Sequence, residues 1–408
     1  MLEQLWQYFL EKSITSLIVI PVLCYVAWIV VRYIVHLVQQ AWRFIHSRHR
    51  ALQAVAREFG ENGAFEGRGV WLTRPIEHPE NYWRGVTNSK TLAIANLKGG
   101  VGKTTLAANI GAYLAKDWQK RVLLIDLDFQ GSLSSMAFPG KDWLPVERQS
   151  SLAARLISGA IAPGDVRLIA QKVDLNDGDG CPGQLQVITA YYDLAQADNR
   201  IMVEWLLHSS QRAPEGLFHS LMARLRGRVP HDPDVRYTLA EILHSDAVQK
   251  AFDLIIIDCP PRLTTSKVQA FCASSHLLIP TIFDRTSAEA VGSLCGQVEM
   301  LKNEGICPNL EYVGVVGTMW RVGRNAQAEA MKIVQDALAS GPTTILPESM
   351  FVPHAAALVN DGADGIAYIA MPNRQDRQQI RAAIAELAEY IAGQMGIRRP
   401  AHFRQAAE

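Results

Sequence analysis

No one sign of charge prevails in this chain of 408 residues, in which Lys and Arg number 40 and Asp and Glu number 40. Without a net charge, no global field drives the protein onto nucleic acid or anionic lipid. Cysteine is sparse: six residues and not one C-x-x-C pair. That scarcity argues against a disulfide framework, a zinc site or a cluster-binding reductase, and fits a reducing compartment. Low-complexity tracts are missing too, and 49% apolar with 20% charged residues rules out wholesale disorder and fibrous folds. The length allows two or three domains, or one large α/β domain with attachments. Charge is uneven along the chain. Residues 1–90 carry ten basic and seven acidic side chains, so the remainder is slightly acidic.

Formal charge is also absent from Ser13 to Val31, nineteen residues reading SITSLIVIPVLCYVAWIVV. As a helix rising about 1.5 Å per residue they reach roughly 28 Å, near the ~30 Å hydrocarbon thickness of a bilayer. Pro21 is costly in a water-exposed helix but tolerated in a membrane one. Trp6 and Tyr8 before the run, and Trp28, Tyr33 and Trp42 after its centre, suit an interfacial belt. Glu3, Glu11 and Lys12 precede the run; Arg32, Arg43, Arg48, Arg50 and Arg57 follow it, with no acid until Glu58. Positive charge stays on the cytoplasmic side. The expectation is a single span with a short N-terminus outside and everything after residue 32 inside. A secretory signal has the opposite charge polarity; a buried core helix is the other reading of the run. Arginines alternate with apolar residues over YIVHLVQQAWRFIHSRHRALQAVAREF, which predicts a helix continuing along the headgroups. Gly60 to Tyr82, rich in Gly and Pro, reads as a linker with a short hairpin around GVWLTRP.

Beyond the linker the pattern changes. Residues 91–97 (TLAIANL) suit a buried parallel strand. They run into Lys98-Gly99-Gly100-Val101-Gly102-Lys103-Thr104-Thr105 and then the amphipathic stretch LAANIGAYLAK. Strand, glycine-rich turn and helix in that order are the context of a phosphate-binding loop. The glycines let successive N–H groups turn inward around phosphate oxygens. Lys103 reaches the β- and γ-phosphates and Thr104 offers a hydroxyl to magnesium. A nucleoside triphosphate with Mg2+ is therefore the expected ligand pair. Two more strands end in acid: RVLLID (121–126), leading into Asp126-Leu127-Asp128-Phe129-Gln130-Gly131-Ser132, and FDLIII (252–257), leading into Asp258-Cys259-Pro260-Pro261. Carboxylates at the C-terminal ends of parallel strands face the crevice where open α/β sheets bind ligands.

The loop departs from G-x-x-x-x-G-K-[ST] at its first position, where Leu97 stands, and it gains Lys98. The form KGGVGKTT resembles the deviant Walker A loop of the ParA/MinD family of dimerising ATPases. The resemblance implies a P-loop NTPase with a mostly parallel sheet flanked by helices, here preceded by one transmembrane helix. It also implies that Lys98 acts in trans on a partner's nucleotide while Lys103 acts in cis. DLDFQGS is similar to the family's D-x-D-P-Q-G-N element, with Phe129 and Ser132 in place of Pro and Asn. By that likeness Asp128 positions the attacking water and Asp126 lies near the magnesium. Asp258 resembles the Walker B acid that holds magnesium through water. HLLIPTIFDRTSAEAV (276–291), EYVGVVGTMWRVGR (311–324) and TTILPESMFVPHAAA (343–357) resemble the family's later strands, and LQVITA (185–190) fits a strand.

The expected organisation is a membrane and juxtamembrane helix at 1–59, a linker at 60–89, the ATPase domain at 90–395 and a tail at 396–408. The expected activity is ATP hydrolysis by a slow switch that closes into a homodimer when ATP is bound and works with an activating or cargo protein. Its expected place is a bacterial-type inner membrane, single-pass, with the ATPase domain cytoplasmic. Alternatives are a nucleotide-dependent scaffold or sensor with little turnover, and a bacterial tyrosine autokinase, whose usual tyrosine cluster is reduced here to Tyr368 and Tyr390 after residue 350. Arg224, Arg226, Arg228 and Arg236, with Arg398, Arg399 and Arg404, are candidate DNA contacts or ordinary solvated and ion-paired side chains. Asp174 to Gly180 (DLNDGDG) fails the calcium-loop spacing and reads as a solvated turn.

Overall fold

A computed structural model describes residues 2–4, 6–7, 25–36, 38–39, 71–72, 78, 82, 89–140, 150–175, 183–209, 234–284, 286–321, 325–354, 365–370 and 375–400. The chain forms two compact units: residues 1–62 with 206–229, and residues 63–205 with 230–408.

In the first unit, residues 25–36 are helical. Tyr25, Trp28, Val31, Tyr33 and Ile34 point apolar side chains outward, and Arg32 lies over the Trp28 ring. Among the described residues no helix is long and apolar enough to cross a membrane. Residues 13–24 of the expected span lie outside the described residues, as do Arg224, Arg226, Arg228, Arg404 and the acidic turn after Leu175.

The second unit is built on an eight-stranded sheet in the order β3-β4-β2-β5-β1-β6-β7-β8. Its strands are β1 (Lys90–Ile94), β2 (Arg121–Asp126), β3 (Gln171–Val173), β4 (Gln184–Ile188), β5 (Leu254–Asp258), β6 (His276–Thr281), β7 (Glu311–Trp320) and β8 (Val352–Pro353). Among the described strands only β3 runs antiparallel to its neighbour. The continuous apolar runs LAI, VLLI and LIII are buried throughout, as strands covered on both faces must be. The first strand stops at Ile94, earlier than residues 91–97 suggest. Asn96 causes this: its amide donates to Pro280 O at 2.7 Å and its carbonyl accepts from Lys98 N at 3.0 Å, which turns the chain into a loop. The last strand is short because Pro347 and Pro353 supply no ladder donor; Ile345 makes only an isolated bridge to Val315.

Five helices matter for the site: α1 (Lys103–Lys116), α2 (Ser132–Ala137), α3 (Asp193–Ser209), α4 (Thr265–Ala273) and α5 (Ser287–Asn303). Helix α1 lies so close to β2 that a Cβ on Gly111 would come within 2.7 Å of Leu124 Cδ2.

Two expectations need correction. Trp71 has helical backbone and Leu72 lies in a turn, so the described part of GVWLTRP is not a hairpin strand. Trp71 is buried and stacks on Trp205 at 5.4 Å between ring centroids; filling that apolar gap outweighs the local turn signal. Arg236 is 1% exposed and cannot serve as a DNA contact. It is paired with Asp234 at 2.6 Å, donates to Trp71 O at 2.7 Å and packs over the Trp205 ring.

Two stability predictions follow from this packing. A Cβ at Gly183 would fall 1.8 Å from Ala115 O, a backbone atom that no rotamer change can move. Gly183→Ala should lower the unfolding free energy by about 1–3 kcal/mol, read from urea denaturation. His244 is buried, its Nε2 bonds Ala273 O at 3.0 Å, and burial pulls its pKa down to about 4. The unfolded chain then binds the extra proton between about pH 6.5 and 4, so stability falls as pH drops through that window. His244→Gln should flatten that part of a melting-temperature profile.

Candidate functional site

The parallel order β2-β5-β1 brings three strand ends together. In register, Asp126 of β2 and Ile94 of β1 both pair with Asp258 of β5. The loops after these strands surround a cleft of about 820 Å³ lined by Gly100, Lys103, Thr104, Asp128, Pro261 and Met319, among others.

The phosphate loop has the backbone that its glycines permit. Gly100 and Gly102 sit at φ +69° and +80°, the left-handed region where a Cβ is strained. Helix α1 begins immediately after Gly102, with no side-chain cap and no acid in its first turn. Its first N–H groups are therefore free for an anion. Lys103 is 7% exposed and donates to Lys98 O at 3.2 Å. Burial lowers its pKa, while Asp258 and Asp128 oppose that shift. A buried ammonium with no carboxylate in contact among the described residues is poised for phosphate oxygens. Gly99, Val101 and Thr105 complete the loop, and Thr105 O accepts from Asn109 Nδ2.

The acids divide their tasks. Asp126 is fully buried; Oδ1 accepts from Asp128 N at 3.1 Å, and Oδ2 accepts from Ser134 N at 2.9 Å and Ser134 Oγ at 2.7 Å. It thereby shapes the 126–134 turn, and burial raises its pKa to about 6. Asp258 accepts the Thr104 hydroxyl on Oδ2 at 2.7 Å. Its Oδ1 is buried without a hydrogen-bond partner among the described residues. Burial, and then the neighbouring Asp126 charge, pushes its pKa upward. An orphaned carboxylate oxygen beside a threonine hydroxyl fits a hydrated Mg2+, which takes one or two carboxylates and completes its shell with water and phosphate. Among the described residues no trio of His, Cys, Asp or Glu converges to hold a metal unaided. Asp128 is partly exposed at the cleft, its Oδ1 accepting from Gln130 N. Phe129 is exposed at the rim and leans on Tyr192.

Lys98 is not turned toward its own phosphate loop. Its ammonium bonds Asp284 and also donates to Thr286 Oγ1 at 2.9 Å. Sequence reasoning assigned no role to Asp284, Thr286, Asn96, Ser134 or Thr318. The Thr318 hydroxyl lies 2.9 Å from Val101 O and 3.1 Å from Thr281 O. None of these stands in a recognisable spacing; Asp284, Thr286 and Thr318 reach the site through the sheet order, and Asn96 and Ser134 through the turns that follow β1 and β2. Tyr368, one of the two late tyrosines, is buried and donates to Asp117 Oδ2.

A family model described as the CobQ/CobB/MinD/ParA nucleotide binding domain matches residues 92–364. The chain belongs to that family. As a CobQ/CobB/MinD/ParA protein it is a P-loop ATPase, and its cleft takes ATP with Mg2+. The chromosome partitioning protein ParA of Myxococcus xanthus is 27% identical over 258 residues, 62% of this chain and 75% of its own. The chromosome-partitioning ATPase Soj of Thermus thermophilus is 27% identical over 249 residues, 60% of this chain and 74% of its own. An uncharacterized protein of Pseudomonas putida is 29% identical over 310 residues, 75% of this chain and 94% of its own. Solved structures share the fold. An ATP complex of McdA from Cyanothece matches with TM-score 0.55 at 20% identity, covering 77% of this chain and 99% of that one. Cobyrinic acid a,c-diamide synthase of Mycobacterium smegmatis, with an ATP analogue and magnesium, gives 0.52 at 23% identity, covering 76% and 98%.

The orphaned oxygen of Asp258 generates a test. Asp258→Ala should raise the Mg2+ concentration needed for ATP to stabilise the protein by about tenfold or more, the cost of losing an outer-shell partner. A magnesium titration followed by thermal shift, with chelator as the zero point, measures it.

Proposed function

We propose that this ATPase is a membrane-anchored switch of the ParA/MinD type. ATP closes two copies face to face, Lys98 of each chain reaches the other's nucleotide, and hydrolysis releases them. The observation that carries this reading is the disposition of the two lysines. Lys103 is buried under its own phosphate loop, whereas the Lys98 ammonium is held at the edge by Asp284 and Thr286. A cation so placed serves a phosphate outside its own chain better than one inside it.

The roles follow from the chemistry of each side chain. Backbone N–H groups of the 98–105 loop and the α1 N-terminus hold the triphosphate. Lys103 offsets charge on the β- and γ-phosphates. Thr104 and Asp258 would hold Mg2+, which when bound neutralises charge on the phosphate oxygens; Asp126 acts on that site by fixing the turn that presents Asp128. Asp128 orients the water that attacks the γ-phosphorus. Such a device turns over slowly, and a partner accelerates it only by preferring the closed state.

Anchoring rests on the uncharged run 13–31 and on the arginines that follow it. The outward apolar side chains of residues 25–36 support the same reading, with the ATPase domain on the cytoplasmic side of a bacterial-type inner membrane. An activating or cargo protein is the expected partner. ParA and Soj are named for chromosome partitioning, and positioning or recruitment of a partner is the corresponding role here. The burial of Tyr368 favours this reading over an autokinase.

Lys103→Ala should abolish ATP binding or turnover. Asp128→Ala should retain ATP and accumulate the dimer, with hydrolysis reduced by about a hundredfold or more. Light scattering with ATP and phosphate release measure both, and an Asp128→Ala protein that still turns over freely would sink the assignment.

A further inference from the structure

Behind the phosphate loop lies a lysine that the site described above does not use. Lys267 is in α4 and wholly buried. Its ammonium lies 3.5 Å from Asn96 O and 3.5 Å from Pro261 O, with the Phe271 ring 6.0 Å away. No carboxylate is in contact with it among the described residues. The adjacent Cys259 thiol is no counter-ion, because burial lifts its pKa to about 12 and keeps it neutral. Burial lowers the Lys267 pKa to about 7, and Lys103 adds repulsion.

An ammonium buried on two long carbonyl contacts is a poor stabiliser. Removing an ion from water costs several kcal/mol, and an apolar isostere is often more stable. Stability alone therefore does not explain this residue. Its contacts do. Asn96 O belongs to the turn that leads from β1 into the phosphate loop, and the Asn96 side chain bonds the amide of Lys98. Pro261 O belongs to the turn after Asp258. The helix that presents Lys267 is itself fixed. Asp198 accepts from Ser266 N at 2.7 Å and Ser266 Oγ at 2.9 Å, its backbone carbonyl accepts from Thr265 Oγ1, and Thr264 caps the helix at Lys267 N.

We propose that Lys267 is a positioning residue for ATP hydrolysis. Its ammonium ties the mouth of the phosphate loop to the turn behind Asp258, and so sets the spacing between the phosphate cradle and the magnesium-side acid. The role rests on the ATPase assignment and goes beyond it by adding a residue that touches neither nucleotide nor metal.

The test compares the full chain with Lys267→Met and Lys267→Gln. Lys267→Met should melt at the same or a higher temperature without nucleotide, yet lose kcat by about tenfold or more, the scale of a small misplacement of reacting groups. Hydrogen exchange without nucleotide should quicken at residues 96–99 and 262–264 together and nowhere else in the sheet. Lys267→Gln keeps an N–H donor and should recover most of the lost activity. A Lys267→Met protein that melts lower or fails to fold overturns the proposal, since the ammonium would then be supporting the fold. Unchanged kcat, unchanged exchange in the two turns, or a Gln variant as slow as Met overturns it as well. Wild-type protein that binds no ATP would instead defeat the ATPase assignment, and the exchange comparison would still decide whether Lys267 links the turns.

Discussion

Two carboxylates buried side by side constrain everything around the cleft. Strand pairing places Asp126 opposite Asp258 in register, and neither reaches water. Like charges in that setting repel strongly, so each acid needs compensation of its own. Asp126 has three hydrogen-bond donors from the turn that follows it. Asp258 has the Thr104 hydroxyl, the nearby Lys103 charge, and one oxygen left open. The incomplete compensation is one that a divalent cation would complete. The nucleotide site is thus the place where the fold leaves negative charge unanswered on one wall and free N–H groups on the other.

The loop opposite the acids is held by contacts that run across the sheet. Asn96 ties the phosphate loop to β6 through Pro280, and Thr318 of β7 lies against Val101. Asp284, just after β6, holds Lys98. The cradle is therefore anchored to strands on the side away from the acids. Movement of β6 and β7 relative to β5 would alter both the loop and the availability of Lys98.

A second support lies beneath the acids. Helix α3 presents Asp198 to the start of α4, and the buried Trp71–Trp205 stack with Arg236 packs beside the same region. Arg236 illustrates how a cation loses its surface role. Once ion-paired to Asp234 and covered by an indole ring, it secures the chain entering from the linker.

The sequence by itself determined the nucleotide chemistry. The order of Gly, Lys and Thr in the 98–105 loop fixes which atoms can meet phosphate and metal, because that geometry is local. Buried strands announced themselves as unbroken apolar runs for the same reason: RVLLID is a strand over its whole length, and β1 departs only where Asn96 bends it. Local pattern could not say that β5 lies between β1 and β2, nor therefore that Asp126 and Asp258 meet. It offered no sign that Asp284 holds Lys98, that Ser134 satisfies Asp126, or that Lys267 lies beneath two loops 171 and 6 residues away. Asp284 with Lys98 and Asn96 with Lys267 are 186 and 171 residues apart and become neighbours only when parallel crossovers stack the strand ends, whereas Ser134 and Pro261 meet their partners through the turns between them. Long-range pairing leaves no periodicity in the sequence, so tertiary structure alone decided it.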